Sequence, residues 1–176
     1  MKYVKTFENI IEGKRRNDVL DIIIEDNSLK MKKLLDKNKI NINDRIYKLN
    51  GIIFGVSYDI KRTLDIIPDI DNANWTLLMI ASYIGKIDII ETLIEFGDEE
   101  YINENYKGLT ALMLASMNNK ILAVETLIKL GSNIYLTNDK GQDFLDISTK
   151  EFRKEIIDTI DDENVIRFIT AKKFNI

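Results

Sequence analysis

The chain has 176 residues, 45% hydrophobic and 31% charged, with a net charge of −4, the balance of one folded domain and not of a disordered tail. It contains no cysteine and no histidine, which excludes thiol nucleophiles, disulfides, Cys/His zinc sites and imidazole-based catalysis. No apolar run approaches the ~18–20 residues of a membrane span, and the first residues, with Lys2, Lys5, Glu8 and Glu12 among apolar ones, do not read as a signal peptide.

In chain order, the spacing predicts an N-terminal capping helix near Phe7–Glu12, within 1–16. Residues 17–43 read as a degenerate helix pair, with a first helix near Val19–Glu25 and a second opened by Asn27-Ser28 and carrying Leu34-Leu35. Residues 44–70 read as a short irregular unit in which Ile60, Leu64 and Ile67 form a helical stripe ended by Pro68. Two clear units follow at 71–104 and 105–137. Thr76-Leu77-Leu78-Met79-Ile80-Ala81-Ser82 returns 34 residues later as Thr110-Ala111-Leu112-Met113-Leu114-Ala115-Ser116.

Each clear unit predicts a short first helix, a break and a second amphipathic helix. Gly85 and Asn118-Asn119 supply the breaks. The stripes are Ile87, Ile90, Leu93, Ile94 and Ile121, Val124, Leu127, Ile128, closed by Gly97 and Gly131 at positions that call for positive φ. Residues 141–148 repeat the first-helix pattern in a capping unit at 138–160. There Ser148 and Glu151 have capping-box spacing ahead of Phe152, Ile156, Ile157 and Ile160. A terminal helix near Glu163–Lys172, within 161–176, is placed to cover the end of the array. A fixed period in this range marks a solenoid, whose units bury their apolar faces against one another.

The sequence resembles the ankyrin-repeat proteins. Gly108, Thr110, Leu112, Ala115, Leu127, Gly131 and Ile134 fall on the family pattern, whereas its proline is replaced by Leu77 and Ala111 and its histidine by Met79 and Met113. The resemblance implies an all-α solenoid of stacked helix-turn-helix units with hairpin-like loops, monomeric on its own. Because the Thr-Pro-Leu-His element is incomplete, apolar packing is expected to supply more of the stability. The resemblance also implies a non-enzymatic module that binds a protein partner through its concave face and hairpin tips.

Carried over by alignment, the contact positions are Trp75, Tyr83, Ile84, Tyr106, Lys107, Leu109, Met117, Asn118, Asp139, Lys140 and Gln142, with Ala73, Thr149 and Lys150 beside them. Trp and Tyr are enriched at binding hot spots. The competing reading is that Trp75 packs against the neighbouring irregular unit.

Other chemistry is poorly supported. Gly13-Lys14 lacks the flanking residues of a phosphate loop. The clusters Asp98-Glu99-Glu100 and Asp161-Asp162-Glu163 offer carboxylates for metal binding or acid/base work, but on exposed loops or a helix start. Lys14, Arg15, Arg16, Lys30, Lys32, Lys33, Lys37 and Lys39 make the first part of the chain basic. Residues 1–62 carry 14 basic and 9 acidic side chains, the remainder 11 and 20. No aromatic residues interleave that patch and the chain overall is acidic, so nucleic acid is not expected as a partner. With no apolar run long enough to span one, a membrane is not expected either. No cofactor is expected, and the expected location is the cytoplasm. A dedicated inhibitor, immunity protein or host-directed effector stays open as an alternative to an adaptor, and an enzyme using acidic loops as a second one.

Overall fold

Thr76 starts the first well-defined helix pair. Its Oγ1 accepts the backbone N–H of Met79 at 3.2 Å, and the Met79 sulfur accepts the N–H of Thr76 at 3.5 Å, so the thioether stands in for the usual acidic or amide partner of a capping box. In the computed structural model, which describes residues 19, 22–37, 45–46, 75–98 and 100–174, this helix is Leu77–Ile84.

In chain order the elements are α1 (Ser28–Asp36), β1 (Arg45–Ile46), β2 (Trp75–Thr76), α2 (Leu77–Ile84), α3 (Ile87–Phe96) and a 3-10 turn at Tyr101–Asn103. Then come β3 (Asn105–Tyr106), β4 (Leu109–Thr110), α4 (Ala111–Met117), α5 (Ile121–Lys129), α6 (Lys150–Thr159) and α7 (Glu163–Phe174). Residues 22–24, ahead of α1, are also helical, and Ile22 and Ile23 are buried. Residues 1–16, with the expected Phe7–Glu12 helix, and the expected 44–70 unit apart from Arg45 and Ile46 lie outside the described residues.

The helices form two layers. α2 and α4 lie side by side in the inner layer, while α1, α3, α5 and α6 follow one another in the outer layer. α2 is buried all round from Leu77 to Tyr83, as expected of a helix with neighbours on both flanks. The outer helices are amphipathic, α3 burying Ile89, Ile90 and Leu93 and α5 burying Ala123, Val124, Leu127 and Ile128. Each fully buried Leu or Ile contributes roughly 1.5–3 kcal/mol of hydrophobic stabilisation. The all-α solenoid expectation holds.

α1 packs directly on α3. The N–H of Ile89 in α3 donates to Asp26 Oδ1, just before α1, at 3.3 Å, and Lys32 Nζ donates to Glu95 at 2.6 Å. β1 pairs antiparallel with β2, Arg45 opposite Thr76, just as Asn105 lies opposite Thr110 in β3–β4. The unit ending in α1 and the unit beginning at β2 are therefore adjacent.

Several local expectations need correction. Gly131 does close α5 with φ 98°, but Gly97 has φ −82° and closes α3 without a left-handed turn. Thr149, not Ser148, caps α6 by accepting the N–H of Phe152 at 3.2 Å. In α6, Phe152 and Ile156 are buried while Ile157 faces solvent.

Residues 141–148 form one capped turn instead of a helix. Asp143 stands where Thr76 and Thr110 stand in the other units, and its Oδ1 accepts the N–H groups of Leu145 and Asp146 at 2.8 and 3.0 Å. The turn then stops, because the carbonyl of Leu145 is taken by Ser148 Oγ (2.7 Å) and Arg153 Nε (3.0 Å).

Polar ties between units survive without the histidine. Besides Asp26, the Asn118 amide donates to the carbonyl of Tyr83 at 2.7 Å, satisfying an orphan acceptor at the end of α2. The N–H of Asn133 donates to Asn103 Oδ1 at 2.8 Å. Stability is thus not left to apolar packing alone.

Candidate functional site

Strands β3 and β4 are joined by Lys107 and Gly108, both at positive φ (52° and 74°), a two-residue turn whose twist suits a hairpin. Asn105 Oδ1 accepts the N–H of Gly108 at 3.2 Å. A Cβ at Gly108 would meet Asn138 Cα and the Asp139 nitrogen at 2.7 Å, so the next loop abuts this tip backbone to backbone.

That loop is built around Asn138. Its Oδ1 accepts the N–H groups of Lys140 and Gln142 at 2.9 and 3.0 Å, and its backbone N–H donates to the carbonyl of Gln142 at 2.8 Å. Two tips thus stand side by side. Lys107, Asp139 and Lys140 are exposed on them, and Tyr106 is half-buried with Lys107 Nζ 5.2 Å from its ring centroid. Leu109 and Met117 are half-buried against the core, and Gln142 is half-buried beside Asn138.

The other expected contact residues are placed differently. Trp75 is 3% exposed and Tyr83 5%, their rings 5.5 Å apart and tilted by 53°. Both belong to the core, and burial pushes the Tyr83 phenol above its ordinary pKa. This corrects their assignment as presented hot spots: the ring pair packs inward. Ile84 is half-buried against the core, and Asn118 serves as the tie to Tyr83. Thr149 and Lys150 are exposed at the start of α6. Ala73 lies outside the described residues.

This arrangement, helix pairs in two layers with hairpin tips projecting from one edge, coincides with a family-model match, Ankyrin repeats (3 copies), over residues 24–138. The chain belongs to the ankyrin-repeat family. A search of curated proteins found no match to it. Ankyrin repeats generally mediate protein–protein interaction and are typically non-catalytic.

The acidic clusters of this ankyrin chain have structural work. Asp98 Oδ1 accepts the N–H groups of Glu100 and Tyr101 at 3.2 and 2.9 Å, and Asp162 Oδ1 those of Asn164 and Val165 at 2.9 and 3.1 Å. Asp162 thus caps the start of α7, while Asp98 closes a local turn ahead of the 3-10 segment Tyr101–Asn103. Among the described residues no group of three or more acidic side chains is arranged to hold a metal ion, and no helix is long and apolar enough to cross a membrane. Of the basic residues, Lys30 pairs with Glu25 at 3.3 Å and Lys32 with Glu95 at 2.6 Å. Lys14, Arg15, Arg16 and Lys39 lie outside the described residues.

Sequence reasoning missed Tyr101, which is 1% exposed and whose hydroxyl accepts the N–H of Leu78 at 3.3 Å. It also missed Asp26, which shares its left-handed turn (φ 54°) with Gly85 and Asn119. That shared position, always Asp, Asn or Gly ahead of an outer helix, was the available signal.

Proposed function

We propose that the chain is a non-enzymatic binding protein that engages a protein partner through the β3–β4 tip, the Asn138–Gly141 tip and the Leu109–Met117 face beneath them. What carries this reading is the composition of that edge: half-buried Tyr106, Leu109 and Met117 rimmed by exposed Lys107, Asp139 and Lys140. An apolar and aromatic centre with a charged rim is the usual anatomy of an interface. The burial of Trp75 and Tyr83 moves the proposed centre toward Tyr106 and Met117.

The test is affinity capture from the native cell extract by the wild-type chain and by Lys107→Glu/Met117→Gln/Lys140→Glu. The triple variant should lose the partner while keeping its helical circular dichroism; a control, Leu122→Glu on the outer face of α5, should keep it. Equal capture by all three would refute the surface assignment. A single partner held at one-to-one stoichiometry would favour a dedicated inhibitor over a general adaptor.

A further inference from the structure

α7 is held against the irregular segment before α6 in an unusual way. Of its described side chains only Val165 is fully buried. The Phe168 ring lies edge-on to Tyr135, centroids 5.3 Å apart, and roughly parallel to Phe144 at 6.2 Å. In the last turn, Lys172 Nζ bridges the carboxylates of Asp143 and Asp146, 2.6 Å from Asp146 Oδ2, and sits 5.6 Å over the Phe168 ring.

Asp143 is 5% exposed and has divided duties: Oδ1 caps the turn at Leu145 and Asp146, and Oδ2 faces Lys172. Arg153 of α6 engages the backbone carbonyls of Leu145 and Asp146 instead of the carboxylates of Asp143 and Asp146. Among the described residues, Lys172 is the cation that answers this carboxylate pair. At its other end α7 is tied by the short Ile160–Asp162 link and the Asp162 cap.

We propose that Lys172 is the catch of a releasable helical cover. With the catch closed, α7 seals Phe144 beneath the Phe168 ring. With it open, α7 lifts as a unit about the Ile160–Asp162 link, while α2 to α5 stay folded and Phe144 is uncovered. The physical basis is asymmetric. A carboxylate left buried without its counter-charge is strongly disfavoured, and α7 has little other burial to compensate, whereas the inner and outer repeat helices are fixed by their own cores. Local opening follows such differences in packing.

Hydrogen exchange read by mass spectrometry on the full chain tests this. Lys172→Met should speed exchange across residues 163–174 by about tenfold or more, equivalent to about 1.4 kcal/mol, with α2 to α5 unchanged. Lys172→Arg, which can span two carboxylates, should restore protection. Should Lys172→Met fail to fold, Asp146→Asn supplies the milder weakening and should raise exchange in the same segment alone. Unchanged exchange in α7, or equal acceleration across α2 to α5, would overturn the proposal.

Discussion

The ring of Tyr101 occupies the space that a side chain on Gly97 would need: a Cβ there would lie 2.5 Å from Cδ1. With the ring in this position the hydroxyl reaches the N–H of Leu78. Gly97 has an ordinary φ of −82°, so the requirement for glycine is steric and not conformational. Gly97→Ala should cost about 1–3 kcal/mol in urea unfolding, the range for overpacking a core. The penalty should largely disappear in a Tyr101→Ala background. Additive losses in the double-mutant cycle would contradict the contact.

Ser82 and Ser116 are equivalent residues of α2 and α4, both fully buried, and neither hydroxyl has a hydrogen-bond partner among the described residues. A buried unsatisfied polar group costs about 1–3 kcal/mol. Ser82→Ala and Ser116→Ala should therefore each stabilise the chain, raising Tm by about 2–4 °C per kcal/mol gained. A lowered Tm would show that the hydroxyls are satisfied.

Asp26 gives a pH signature. Burial, and to a lesser extent Asp88, raises its pKa above the ordinary 3.8, against the N–H of Ile89 and the charge of Lys86. A raised carboxyl pKa means that its stabilising contribution is fully present below the unfolded value and is lost as pH rises through the folded one. Asp26→Asn keeps an acceptor for Ile89 without the charge. It should unfold at a higher temperature than wild type at pH 7, the gap closing toward pH 3. A variant less stable than wild type at pH 7 would contradict this.

The matched registers of β1–β2 and β3–β4 make a further prediction. Replacing residues 47–74 with Lys-Gly, the pair that joins β3 to β4, should leave a chain that still unfolds cooperatively. Loss of cooperative folding would mean that those residues contribute to the stack itself.

What could be read from the sequence is what depends on neighbours in the chain. Thr76, Thr110 and Asn27 cap helices that begin within three residues of them, and the Leu127–Ile128 stripe marks a buried face from local spacing alone. Tyr101 could not be read in this way, because its partner Leu78 is 23 residues away and the loop between them must first fold. Residues 141–148 carried the right letters, but Ser148 and Arg153 compete for the Leu145 carbonyl that a continuing helix would use. Trp75 could not be placed from sequence for a different reason: residue type favours interfaces and cores alike, and only the fold shows it buried against Tyr83.

The most direct test of the proposed interaction surface is hydrogen exchange on the chain alone and in complex with its captured partner. Protection should concentrate at residues 105–118 and 138–142, with the solvent faces of α1, α3 and α5 unchanged. Protection confined to those outer helices, with both tips exchanging as freely as in the unbound chain, would contradict the account.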